Sequence, residues 1–454
     1  MNTGKAVVGT ERVETLMKRE LDRFADRNPR SKSIHDRAGE ALLSGVPMNW
    51  MTRWPGQYPV FFDEAVGNSL TDVDGHRLVD FCLGDTGAMT GHSPEPTVAA
   101  ASARLARGIT TMLPSEDALP LGKEMTRRFG LGHWQFALSA TDANRFTIRL
   151  CREITGRTKI LVFNHCYHGS VDETVATLVD GEPRSRTGNV GPPVPIGETT
   201  RVVEFNDLEA LERELAHGDV ACVLAEPALT NIGIVLPEPG FHDELRRLTE
   251  EAGTLLVIDE THTFCCGPGG YTRVHGLRPD MLTIGKPIAG GIPTGAYGMS
   301  DEVARRILER TIWEVADVGG VGGTLAGNAL SLAAARATLS QVLTDEAFER
   351  MISMGERFEA GVQRVIDEHE LAWTVTRLGC RVEYMLGETR PVTGEEAAAA
   401  FDAGLDSLLH LYMLNRGILM TPFHMMALMC PETGEADVDA HTEVLAEAAT
   451  ELLA

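Results

Sequence analysis

Residues 254–291 read TLLVIDETHTFCCGPGGYTRVHGLRPDMLTIGKPIAGG. Two apolar runs, TLLVI and MLTI, each end abruptly, the first in Asp259-Glu260 and the second in Gly285-Lys286. Short apolar runs bounded by turn signals fit strands buried on both faces, as in a parallel sheet. In such a sheet ligands gather beyond the C-terminal strand ends. Lys286 therefore presents a partly desolvated amine at a strand end, with Asp259 at another strand end 27 residues earlier. Alone, Lys286 reads as a strand-capping lysine that reaches water, and Asp259 as a helix N-cap or loop carboxylate. Together they match what pyridoxal phosphate needs: an amine that forms an imine and a carboxylate that keeps a pyridine nitrogen protonated. The chain has only six lysines (Lys5, Lys18, Lys32, Lys123, Lys159 and Lys286), and only Lys286 sits after such a run among glycines.

Other strand ends upstream carry polar groups too. WQFAL (134–138) runs into Ser139-Ala140-Thr141-Asp142 at the start of a helical pattern. Free N–H groups and the positive helix end bind phosphate at such a place, while plain Ser or Asp capping is the bland alternative. KILVF (159–163) is followed by Asn164-His165-Cys166-Tyr167-His168-Gly169, where Tyr167 offers a ring either to stack or simply to pack. Glu226-Pro227 follows another run, and Gly319–Thr324 is either a second set of phosphate donors or a domain connector. There is no G-x-x-x-x-G-K-[ST], and no G-x-G-x-x-G follows the first strand, so P-loop and dinucleotide chemistry are disfavoured.

Strand candidates at 134–138, 159–163, 201–204, 220–225, 254–258 and 281–284 alternate with helical patterns at 95–108, 117–129, 141–156, 207–217 and 241–252. This predicts an α/β fold with a mostly parallel central sheet and a smaller α+β domain. The expected division is 1–70 as an N-terminal segment packing with the small domain, 71–330 as the large cofactor-binding domain, and 331–454 as the small domain. Residues 11–27 predict an amphipathic helix, and the prolines from Pro29 to Pro59 an irregular stretch. Asp74-Gly75 predicts a hairpin, and 181–198 a surface loop or flap.

Of 454 residues, 41 are Lys or Arg and 65 Asp or Glu, giving a net charge of −24. The acid excess argues against nucleic acid or an anionic membrane as partner. No apolar stretch is long enough to span a bilayer and no secretory signal is visible, so a cytoplasmic location is expected. The eight cysteines are scattered without a Cys-x-x-Cys pair, which points to reduced buried thiols and no metal site.

In motif order the chain resembles the class III aminotransferases, fold-type I pyridoxal-phosphate enzymes. The branch of glutamate-1-semialdehyde aminomutases and β-amino-acid transaminases is the most similar. The likeness rests on GVPMNWMTR (45–53), DVDGHRLVDF (72–81), GHSPE (91–95), SATDA (139–143), CYHG (166–169), Glu226, VIDE (257–260), TIGKPIAGG (283–291) and GGTLAGN (322–328). It implies an imine between Lys286 and pyridoxal 5'-phosphate, with Asp259 on the ring nitrogen and Tyr167 stacked on the ring. Ser139, Ala140 and Thr141 would lie around the phosphate, with His168 and Glu226 beside the cofactor. Thr324 would reach the phosphate of a neighbouring subunit, making a homodimer with shared sites.

Arg53 is implied for a substrate carboxylate, with Trp54, Asp85, Thr86, Met89, His424, Met425 and Met426 lining the pocket. The implied reaction is ping-pong transfer from a β-amino acid or amine to a keto acid such as pyruvate or 2-oxoglutarate. A 2,1-aminomutase and a decarboxylase on the same scaffold are the alternatives. The family's S-G-T-E-A appears here as Ser139–Ala143, SATDA. The aminomutase pattern's tryptophan near Asp85 and glutamate near Met426 are missing, and Glu260-Thr261-His262-Thr263 departs from the common continuation.

Overall fold

The computed structural model describes residues 8–310, 313–422 and 424–454. Met1–Val7, including Lys5, lies outside them. The chain divides into two compact units: residues 1–93, 349–390 and 400–454 form the first, and residues 94–348 and 391–399 the second.

The second unit is built on a seven-stranded sheet. In chain order its strands are β1 (His133–Ala137), β2 (Lys159–Phe163), β3 (Thr200–Val203), β4 (Val220–Ala225), β5 (Leu255–Asp259), β6 (Met281–Ile284) and β7 (Gly295–Met299). Their spatial order is β1-β7-β6-β5-β4-β2-β3. Five strands from β6 to β3 run parallel, while β7 is antiparallel to both neighbours. The parallel strands are buried nearly throughout, which is why they read as continuous Val, Ile and Leu runs. The α/β class with a mostly parallel sheet is thus observed.

β7 is not among the strands that the sequence pattern predicts. Its glycines obscure a strand pattern, and both are needed: a Cβ on Gly298 would press on the Trp134 ring, and one on Gly295 on the Ser139 carbonyl. Part of 181–198, expected as a loop, is a β-hairpin pairing Ala176–Val179 with Glu182–Ser185 through Asp180-Gly181, both at positive φ.

In the first unit the helix Thr10–Arg27 lays Phe24 into a cluster with Tyr58, Leu78, Leu411 and Leu414. Its Glu20, fully buried, accepts hydrogen bonds from Asn415 and Arg416. Pro29–Ala38 is a second helix, not the irregular stretch expected, because a proline at the first helical position has nothing to lose. Strands Ser69–Asp72 and Arg77–Asp80 form the predicted hairpin, and the second also pairs with Ile418–Leu419. That pairing ties residues 71–93 to this unit, so the division falls at 93/94 rather than 70/71. The helix Ala329–Ala337 packs on Glu95–Leu105 in the second unit, so the other division falls at 348/349 rather than 330/331.

Candidate active site

The register of β5 and β6 sets the centre of the site. Val257 pairs with Met281, Ile258 with Leu282 and Asp259 with Thr283. The two strands end side by side, one in Asp259 and the other just before Gly285-Lys286. Gly285 lets this end press against a helix start, where a Cβ would lie 2.9 Å from Ala140 N. Lys286 then adopts φ +48°, a left-handed conformation that costs a non-glycine residue about 1–2 kcal/mol. Strain of this kind gathers at functional sites. Its Nζ lies 2.9 Å from His262 Nε2.

Asp259 is 3% exposed, and its carboxylate is the hub of a buried network. Oδ2 accepts from Asn144 Nδ2 and His168 Nδ1, both at 2.9 Å, and Oδ1 from Thr261 N at 3.1 Å. Asn144 is held in turn by Thr283 Oγ1, which donates to its Oδ1 at 2.6 Å. Burial pushes the Asp259 carboxyl up, but the His168 hydrogen bond and charge, with Thr261 and Asn144, bring it below the ordinary carboxylate range. Burial disfavours charge on His168, yet the adjacent Cys166 and Asp259 outweigh that and raise its pKa well above the ordinary value. Asp259 was expected at the centre; Asn144 was not, and nothing in its sequence context marks it.

The pair carries a pH signature. The lowered Asp259 value stabilises the fold above about pH 4 and stops doing so as pH falls through it. The raised His168 value stabilises below about pH 6.5 and stops doing so as pH rises through it. The combined contribution is therefore full between those limits. Melting curves of the cofactor-free protein and of His168→Asn should differ most in that window and converge on either side.

At the end of β1, Ser139 caps the helix Ala140–Thr155, its Oγ accepting from Asp142 N at 3.1 Å. The first N–H groups of the helix, at Ala140 and Thr141, have no intrahelical acceptor. Gly169 at φ +80° closes in on Thr141, whose Oγ1 also accepts from Ser170 N at 3.3 Å. Tyr167 is 45% exposed, and its backbone N–H donates to Glu226 Oε1 at 3.0 Å. Burial raises the Glu226 carboxyl, whose Oε2 accepts from Thr230 Oγ1 at 2.6 Å. Asp259 is thus the last residue of β5, and Ser139, Ala140, Thr141, Tyr167, His168, Glu226 and Lys286 all follow the C-terminal ends of strands of the same sheet.

Thr324 stands apart from them. It lines a cavity of about 960 Å³ with Trp134, Phe146 and Tyr297, which neither Lys286 nor Asp259 lines. Met112, Leu113 and Leu119 on its border are strongly exposed.

Arg53, Trp54, Asp85, Thr86 and Met426 belong to the first unit. Arg53 is exposed after the turn Asn49–Thr52, and Trp54 is half-buried. Asp85 and Thr86 both have positive φ, and Thr86 Oγ1 accepts from Arg381 Nη1 at 3.2 Å. Met426 pairs with Glu383, whose carboxylate binds His424. Arg381 and Glu383 are 0% and 2% exposed, yet RVEYM alternates like a strand with one wet face and so does not mark them.

Among the described residues no cluster of His, Cys, Asp and Glu is arranged to hold a metal, and no helix is long and apolar enough to cross a membrane. The sequence profile of the family described as "Aminotransferase class-III" matches residues 50–436. A glutamate-1-semialdehyde 2,1-aminomutase 2 of Bacillus thuringiensis (strain Al Hakam) is 33% identical over 408 residues, covering 86% of this chain and 90% of that protein. A glutamate-1-semialdehyde-aminomutase structure from Pseudomonas aeruginosa PAO1 superposes with a TM-score of 0.95 at 49% identity, over 98% of this chain and all of that one. Its K286A variant, in complex with PMP, superposes equally well at 48% identity over the same shares of the two chains. A β-phenylalanine aminotransferase from Variovorax paradoxus gives a TM-score of 0.85 at 26% identity, over 96% of this chain and 97% of that one. With its strands ending in this buried carboxylate and strained lysine, the chain belongs to the class III aminotransferases, fold-type I enzymes dependent on pyridoxal phosphate.

Proposed function

We propose that the protein moves an amino group from a β-amino acid or amine donor to a keto acid, pyruvate or 2-oxoglutarate, in two half-reactions. The observation that carries this reading is the Asp259 network beside the strained Lys286. The residues fit the cofactor. A carboxylate takes about four hydrogen bonds, and Asp259 has three, which leaves capacity for a ring N–H. His168 Nε2 is buried without a partner, and the first N–H groups of the Ala140–Thr155 helix suit a phosphate.

In this reading Lys286 would bond to the cofactor, Asp259 would hold the ring nitrogen's proton, and Tyr167 would cover the ring. Ser139, Ala140 and Thr141 would hold the phosphate, with His168 and Glu226 alongside. When bound, pyridoxal phosphate supplies a carbonyl carbon for amine exchange and a protonated ring that withdraws electrons from the substrate carbon. Lys286 Nζ takes the proton from the donor's amine-bearing carbon and holds it for return. Asp259 keeps its charge throughout, because its hydrogen bonds favour the ionised form.

Arg53 is proposed for a donor carboxylate, with Trp54, Asp85, Thr86 and Met426 as substrate-facing residues. We further infer that a second copy of this chain covers the cavity beside Thr324, in a homodimer that brings Thr324 to the partner's phosphate. Its exposed apolar border supports that.

A second reading, intramolecular 2,1-amino transfer, is favoured by the 49% identity to the Pseudomonas aminomutase. The absence of a tryptophan near Asp85 and of a glutamate near Met426 speaks against it. A half-reaction screen separates the two. The cofactor-loaded enzyme is mixed with α-, β- and simple amines while its visible absorbance is followed. Bleaching by β-amino acids or amines, restored by a keto acid, is expected. Turnover of glutamate-1-semialdehyde alone, with no keto acid, would overturn the first reading in favour of the second.

A further inference from the structure

The departure Thr261-His262-Thr263 acquires a partner in the structure. Asp259 pairs with Thr283 across two parallel strands, an offset of 24 residues, and the same offset relates His262 to Lys286. Both chains leave the sheet together, and His262 Nε2 comes 2.9 Å from Lys286 Nζ. His262 is 7% exposed. Its backbone is pinned on both sides, as Thr261 N donates to Asp259 Oδ1 and Phe264 N to the Glu260 carbonyl. The imidazole is thus a fixed object against the end of a flexible four-carbon side chain, whose free rotamers number many without such a partner.

We propose that His262 is a positioning residue for Lys286. It aims the amine and receives its spare proton when the lysine–cofactor bond forms. This rests on Lys286 being the cofactor-bonding lysine. In the step, Nζ forms a bond to the aldehyde carbon and the aldehyde oxygen leaves as water with two of the ammonium's protons. The third proton passes to His262 Nε2, so charge and atoms balance. A neutral imidazole accepts that proton; an aliphatic side chain cannot, and also leaves the amine unaimed.

The test uses cofactor-free protein. Pyridoxal phosphate is added and the rate at which the lysine-bound absorbance appears is measured. Affinity for pyridoxamine phosphate, which forms no bond to lysine, is measured by calorimetry. His262→Leu should slow capture about tenfold to a hundredfold, the scale of a misplaced reacting group. Its pyridoxamine phosphate affinity should stay within about twofold of wild type, and His262→Gln, able to orient but not to hold a proton, should recover part of the rate. His262→Asn, too short to reach Nζ, replaces the leucine variant if that is insoluble. Capture at the wild-type rate, or a parallel loss of pyridoxamine phosphate affinity, overturns the proposal. Lys286→Ala is the control: lysine-bound absorbance persisting in it sinks the reading of Lys286 itself, whereas normal capture by His262→Leu sinks only the role of His262.

Discussion

Replacing Lys286 with alanine should lower amino-transfer turnover by about four orders of magnitude, the upper end of what a positioned acid–base group supplies. The side chain has two tasks in the proposed mechanism, bonding the cofactor and moving the substrate proton, and no neighbouring residue takes over both. His262 holds a nitrogen in the right place but has no primary amine. The change should leave folding close to intact, since alanine keeps the same Cβ at φ +48° and neither adds to nor relieves the backbone cost there. Single-turnover absorbance changes and a melting curve together check this. Loss of activity with the melting temperature nearly unchanged is the expected pattern.

Asp259→Asn should have the second largest effect, and on both properties. The substitution keeps shape but removes the charge that His168 faces across 2.9 Å in a buried setting. Breaking a buried pair by removing one charge costs about 3–5 kcal/mol, because the other is left uncompensated. A neutral amide also no longer favours a proton on the ring nitrogen, and losing one such preorganised electrostatic partner costs about a hundredfold or more in rate. Asp259→Asn should therefore melt well below wild type and turn over about a hundredfold more slowly or worse. His168→Asn should recover part of the stability when combined with it, since the uncompensated cation is then gone as well. A double-mutant cycle in the melting data checks that coupling.

These residues differ in how far the sequence announces them. The parallel strands are legible because burial on both faces demands runs such as KILVF and VACVLA, and their ends locate Asp259, Lys286 and Tyr167; Ser139 follows the edge strand β1. β7 was hidden because Gly295 and Gly298 answer to close packing rather than to strand propensity. The hairpin at 176–185 carries an Asp180-Gly181 turn signal, but its second strand falls in the polar stretch 181–198 that reads as a loop. Asn144 sits in a helix with no local mark, and its role arises only when Thr283 and Asp259 are brought to it across the sheet. Arg381 and Glu383 look like the wet face of a strand, and only tertiary packing buries them. His262 was the recoverable case: pairing the two strand patterns one residue against another would have put it opposite Lys286.

The most direct test of the account is to reduce the cofactor-loaded protein with borohydride, digest it and find the modified peptide by mass spectrometry. One stable adduct is expected, on Lys286, in the peptide containing TIGKPIAGG, with loss of the visible band. An adduct on any of the other lysines, with Lys286 unmodified, would contradict it.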